Sequence, residues 1–226
     1  MRINLQKVLL LSLLTIVSLS VIIFILRQGR EDSWNFYYHL SIELIGGVVT
    51  IILFDVIIGN RQKRIESRNL LLRDLYSEEE EIRVMALDEL LKERLLNGVI
   101  LKRVDFTTLS LIDRSFEGIS FFRCQFFGTQ LNHATFKKCK FTKSNFAGAN
   151  LNESTFSKCM LDDCDYQNSF FEKSNIIDST FAKCKFDNAK FLKTSMHSSS
   201  FDGCSSKGAK VEDINIDDST RRHFLL

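Results

Sequence analysis

Large apolar residues recur along the second half of the chain at a period that neither a helix nor a strand supplies. Steps of five from Phe106 reach Leu111, Phe116, Phe121, Phe126, Leu131, Phe136, Phe141, Phe146, Leu151, Phe156, Leu161, Tyr166, Phe171, Ile176, Phe181, Phe186, Phe191, Met196 and Phe201. Twenty consecutive positions are large and apolar, and 13 of them are Phe, which leaves no room for a chance run. Two residues before each, over 124–209, stand only Cys, Thr, Ala and Ser. A helix repeats at 3.6 and a strand at 2, so a period of five marks an internal repeat. In each unit one bulky and one small residue point inward, and the other three positions are mostly polar. Such a unit cannot bury its apolar side alone, so units must stack around a shared core.

Units such as Ser144-Asn145-Phe146-Ala147-Gly148 and Ala149-Asn150-Leu151-Asn152-Glu153 resemble the pentapeptide-repeat family: a small residue, a polar one, Leu or Phe, then two variable positions. The resemblance covers roughly half the chain. It implies a mainly β fold, a right-handed quadrilateral β-helix with four pentapeptides, about 20 residues, per coil. Residues 20 apart then lie one above another at strand spacing, about 4.8 Å. Phe106, Phe126, Phe146, Tyr166 and Phe186 form one column, and Phe121, Phe141, Leu161, Phe181 and Phe201 another. The pattern weakens at its ends, where Ser206 interrupts the bulky series and Arg114 the small one.

All six cysteines, Cys124, Cys139, Cys159, Cys164, Cys184 and Cys204, occupy the small inward position. They read as small buried side chains standing in for Ala or Ser. The alternative is a disulfide within the column of Cys164, Cys184 and Cys204, or a metal site. No CxxC and no Cys/His pair at zinc spacing supports it, so no metal and no cofactor is expected. Unpaired thiols suit a reducing compartment.

The first 60 residues have a different composition. Residues 8–26 contain no charge, and 40–59 form a second apolar stretch carrying Glu43 and Asp55. Both meet the length of a transmembrane helix, so residues 1–60 read as a two-span hairpin in the lipid bilayer. A cleaved signal peptide is the rival for the first stretch, but no small-x-small site follows it. Trp34, Phe36, Tyr37 and Tyr38 in the connecting loop suit a membrane interface, and the basic residues flanking the outer ends place both termini in the cytoplasm of a bacterial inner membrane. Gly46, Gly47 and Thr50 offer a small face for helix packing. Glu43 and Asp55 lie near the ends of their segment, and read as structural rather than as an ion or proton path.

Residues 61–98 are charged and helical in pattern, a linker and cap for the repeats. Ser77 and Glu80 fit a capping box, Ile82, Met85, Ala86, Glu89 and Leu90 approximate one helical face, with Leu87, Leu91 and Leu95 on its neighbour, and Gly98 suits a C-cap. A solenoid end exposes core and strand edge, so a cap belongs there. The repeats occupy 99–218 and a tail 219–226, in which Phe224, Leu225 and Leu226 either fold back or support self-association. The whole layout, with Glu43-Leu44-Ile45-Gly46 and Asp55 in the second span, resembles a recurring type of bacterial membrane protein that ends in pentapeptide repeats; that resemblance implies a tethered β-helix and no defined activity.

No catalytic motif appears. His39, His133, His197 and His223 share no catalytic spacing, and Gly-rich phosphate loops, G-x-S-x-G and H-E-x-x-H are absent. The chain reads as non-enzymatic, a scaffold for a protein partner. Apolar residues at outward positions are the candidates for contact. Ile112, Phe122 and Phe127 in the first coils are expected to lie under the preceding helix, whereas Phe170, Ile177 and Leu192 form the candidate interaction surface. The alternatives are a DNA-mimicking topoisomerase binder, as some of the family are, or a small channel built on Glu43 and Asp55. Residues 104–216 hold 14 Lys or Arg against 13 Asp or Glu, a near-neutral balance without the polyanionic field that mimicry needs, and no nucleic-acid partner is expected.

Overall fold

The computed structural model describes residues 31–107 and 109–221, together with Leu19, Ile22, Ile23 and Leu26. The chain divides into two compact units, Met1–Ser67 and Arg68–Leu226. Helix α1 (Glu31–Asp74) begins in the first unit. Among the described residues no helix is long and apolar enough to cross a membrane. The expected span at 8–26 lies almost wholly outside the described residues, and the expected span at 40–59 falls inside α1. The described residues do not supply the expected two-span hairpin; among them, helices α1 and α2 (Glu80–Lys92) precede the repeats.

The second unit is a β-solenoid of about six turns. One face is a parallel sheet of β1 (Ile100–Lys102), β3 (Ser120–Phe122), β5 (Lys140–Thr142), β7 (Met160–Asp162), β9 (Thr180–Ala182) and β12 (Ser200–Asp202). The face that precedes it in each turn stacks β2 (Ser115–Glu117), β4 (Thr135–Lys137), β6 (Thr155–Ser157), β8 (Asn175–Ile177), β11 (Ser195–His197) and β14 (Asn215–Ile216). A third is held by the bridges Gln130 to Asn150, Phe170 and Lys190, then by β10 (Lys190–Leu192) on β13 (Lys210–Glu212). The fourth is a ladder of single bridges from Asp105 to Ser205. Pairing runs at an offset of 20 throughout, as in Phe121 on Phe141 and Phe141 on Leu161.

The core follows from that offset. Phe106, Phe126 and Phe146 stack with centroids 4.7 and 4.4 Å apart and planes within 9°. Phe121 stacks on Phe141 at 4.6 Å. The two columns meet edge to face, Phe121 against Phe126 at 5.6 Å and 71°. Both geometries are the ones the ring quadrupole favours. Each strand is short and presents only its middle residue inward. Tyr166 continues the first column, fully buried, and its hydroxyl has no hydrogen-bond partner.

The turns are made by the residue two after each bulky one. Every described corner from Gly98 to Asp213 has positive φ, between 50° and 73°. Gly fills six of them, and Lys, Arg, Asp, Asn, His, Glu or Ser the others; no β-branched residue occurs there. An L-residue in this region costs about 1–2 kcal/mol. The corner amide offsets part of that by donating to the coil above, as Arg123 does to Thr142 and Lys183 to Asp202, at 2.9 and 2.8 Å.

Both ends of the stack are finished by chain that leaves the repeat. Leu87, Leu90, Leu95 and Leu96 share one buried cluster with Leu101, Val104 and Phe106. The buried stripe of α2 is thus Ala86, Leu87 and Leu90, the seam between the two expected faces, while Met85 is 71% exposed. The Tyr76 hydroxyl donates to the carbonyl of Lys102 and accepts from its amide, at 3.1 and 3.4 Å, closing the open edge of β1. The expected capping box does not form: α2 begins at Glu80, and Ser77 Oγ accepts from the amide of Glu79 instead. Nor does Gly98 end the helix. Arg94 takes the left-handed position, with Leu95 donating to Leu90 and Arg94 to Leu91, a Schellman closure without glycine. At the other end, Ser198 donates to the Asp217 carboxylate where the repeat would supply the carbonyl of residue 217, and Ser199 donates to Thr220 Oγ1. These contacts start α3 (Asp218–Arg221); Phe224, Leu225 and Leu226 lie outside the described residues.

Substitutions at three positions test the stack. Phe146→Ala should cost about 4 kcal/mol in urea unfolding, and Phe146→Asp or Phe181→Asp should abolish the β signal in circular dichroism by burying an unpaired charge. Tyr166→Phe should instead raise stability by about 1 kcal/mol, because it removes a buried hydroxyl without a partner; a loss would mean that the hydroxyl is satisfied.

Candidate interaction surface

Each face presents outward the two residues flanking its bulky one. Phe170 and Leu192 fall on the same face, Phe170 one coil below Lys190, whose ammonium sits 4.8 Å from the ring centroid. That pair is a cation–π contact, and it leaves Phe170 37% exposed. Ile177, also 37% exposed, ends β8 on the adjoining face, with the Lys173 corner between. The structure brings two of the three candidates together and turns the third around an edge.

The first-coil residues do not lie under a helix. Phe127 is 59% and Ile112 41% exposed. Helix α2 meets the stack at its end, where Asp88 pairs with Arg114 at 2.8 Å, and so it does not cover outward positions. Phe122 is half-buried, with the Arg123 guanidinium 5.2 Å from its ring. A shallow cavity of about 280 Å³ lies beside this end, lined by residues that include Leu90, Arg94, Asn97, Glu117 and Ile119. Asp55 is half-buried in α1, and the Glu43 side chain lies outside the described residues.

Exposed contacts with carboxylates explain two of the histidines. His133 faces Glu153 at 3.3 Å and His197 faces Asp217 at 4.0 Å, each one coil apart. Bonds from Thr220 and Ser198 hold the Asp217 carboxyl well below the usual carboxylate range. His39 and His223 lie outside the described residues. Among the described residues no three His, Cys, Asp or Glu side chains gather as metal ligands.

The cysteines have a role beyond small size. Where a bridged face turns, the small residue's amide bonds back to the bulky carbonyl three residues earlier, as Ala149 does to Phe146. Where a strand face turns, that bond is missing, and at most of these turns the carbonyl is taken by a side chain one coil above. Cys124 Sγ donates to Leu101, Cys159 to Phe136 and Cys184 to Leu161, at 3.2–3.5 Å. Ser144, Ser179 and Ser199 do the same with hydroxyls. Ala134, Ala149 and Ala189 sit only at the turns that close locally. The thiols are free, all but Cys204 are buried, and burial pushes Cys124 up to about 11. Cys159, Cys184 and Cys204 are pushed up as well, first by hydrogen bonding to the thiol one coil below.

Charge is sorted along the axis. Residues 119–158 hold Arg123, Lys137, Lys138, Lys140, Lys143 and Lys158 against Glu153 alone. The coil above, 159–178, holds Asp162, Asp163, Asp165, Glu172 and Asp178 against Lys173. Composition hides this; aligning the charges at 20 residues would have revealed it.

Residues 119–157 match the family described as pentapeptide repeats, in eight copies. The same period of five builds every coil of the solenoid. The chain is a pentapeptide-repeat protein. No curated protein matches it. Among solved structures, the repeat protein is similar to HetL, a pentapeptide repeat protein involved in heterocyst differentiation regulation from the cyanobacterium Nostoc, with 12% identity and a TM-score of 0.44 over 49% of this chain and 61% of HetL. It thus spans under two thirds of HetL's length. A pentapeptide repeat protein of the Arabidopsis thaliana thylakoid lumen is 21% identical, with a TM-score of 0.36 over 56% of this chain and 74% of that one. QnrB1, a plasmid-mediated fluoroquinolone resistance protein, is 14% identical, with a TM-score of 0.32 over 54% and 88%.

In this pentapeptide-repeat protein the donor role of the thiols separates two otherwise similar substitutions. Cys159→Ser should leave stability nearly unchanged, and Cys159→Ala should lose about 1 kcal/mol in urea unfolding. In thiol labelling of the folded protein, Cys204 should react first and the other five only as denaturant is added.

Proposed function

We propose that this protein is a non-enzymatic scaffold, a rigid pentapeptide-repeat rod held at a membrane and presenting its sides to a protein partner. The observation that carries the reading is the continuous core. Bulky side chains fill the solenoid from Leu101 to Met196 at 0–1% exposure, so the interior offers no cleft for a substrate and recognition falls to the outer faces. Exposed apolar residues there, Phe127, Phe170 and Ile177, favour contact with another protein. The membrane tether rests on the uncharged residues 8–26 and the apolar character of 40–59, and the free thiols suit a cytoplasmic rod. Alternating charged coils speak against mimicry of DNA, whose field has one sign along its length.

Crosslinking in native membranes, followed by capture through a C-terminal tag and mass spectrometry, tests this reading, with a chain ending at Gly98 as the comparison. A partner recovered only with the repeats is the expected result. The same partner recovered without them would move the function to residues 1–60 and make Glu43 and Asp55 the positions to substitute.

A further inference from the structure

The first strand face of the rod combines spaced apolar residues with cations at both edges that lack acidic partners. Ile100, Phe122 and Met160 project outward from β1, β3 and β7, and Ile100 and Met160 are 60% and 57% exposed. Along one edge the corners are Arg103, Arg123 and Lys143; along the other they are Lys138 and Lys158. Lys102 and Lys140 lie on the face itself. Lys143 pairs with Asp163 at 3.9 Å. Arg103, Arg123, Lys138, Lys140 and Lys158 have no acidic partner among the described residues, although the stack sets like charges about one strand spacing apart, ~4.8 Å. The repeat holds these cations where they repel one another, an arrangement that an external anionic surface relieves.

We propose that this face docks flat on an anionic phospholipid surface. The cation rows meet the lipid phosphates, and Ile100, Phe122 and Met160 enter the headgroup region, the combination by which amphipathic elements lie in an interface. Parallel strands of three residues make the face planar, as a bilayer surface is. A polyanion such as a nucleic acid would use the cations and leave the apolar residues without a counterpart. Asp162 and Asp163, beside Met160 in the coil 159–178, end the patch, so contact is confined to the coils up to β7. The inference rests on the solenoid alone and does not require the tether.

Lysine acylation of the full chain, read by mass spectrometry, tests it in phosphatidylcholine vesicles with and without phosphatidylglycerol. Labelling of Lys138, Lys140 and Lys158 should slow several-fold on the anionic vesicles and recover at high salt, while Lys190 and Lys193 on the opposite face stay unchanged. Arg123→Glu combined with Lys140→Glu, with folding checked by circular dichroism, should remove the difference. Equal labelling of the three lysines on both vesicle types overturns the proposal, as does protection by a DNA duplex without protection by the vesicles. Alkaline carbonate extraction reports separately on the tether: a chain that is extracted yet protected retains the face and loses the anchor, and one that is retained but unprotected does the reverse.

Discussion

A chain that rises by one strand spacing every 20 residues must place each side chain on top of its counterpart in the coil below. That constraint governs the whole solenoid. Inside, it selects residues that pack well on copies of themselves, and the parallel Phe columns, locked edge to face with their neighbours, are the outcome. On the outside it offers no such choice, because like charges stacked at the same spacing repel. The rod meets this by alternating sign from coil to coil, as Lys143 beneath Asp163 shows, except over 119–158, where cation stands on cation.

Much of this was legible in the residues. The period of five carried the fold, and the bulky and small positions it picked out are buried as far as Phe201, with Cys204 and Ala209 half-buried beyond. The corners were not legible, because Lys and Arg have no preference for positive φ; the ladder imposes it and the corner amide compensates. The capping box at Ser77 failed for a similar reason. A local pattern fitted, but the geometry needed for α2 to close the first coil moved its start to Glu80. The burial of Leu87 and Leu90 in place of Met85 likewise comes from the approach of the helix to the stack, which no single-helix pattern contains.

The interaction candidates were legible only one at a time. Phe170 and Leu192 share a face and Ile177 does not, and that distinction needs the corner positions. The choice of Cys over Ala looked like a matter of volume alone. It is a matter of which carbonyl lacks a local donor, and that depends on which faces form strands. The near-neutral total charge concealed the banding for the same reason: a sum over the chain erases what a 20-residue alignment displays.

The closing contacts of the last coil have a consequence for how such a rod changes length. Asp217 and Thr220 do not recognise a particular sequence; they occupy the hydrogen-bonding places that another turn would have filled. The terminus is therefore portable, like a nut on a thread. Duplicating a whole turn lengthens the rod and returns every face to its original bearing. Duplicating a single five-residue unit rotates everything beyond it by a quarter turn, exchanging one strand face for a bridged one and placing Ala134 where a donor is required.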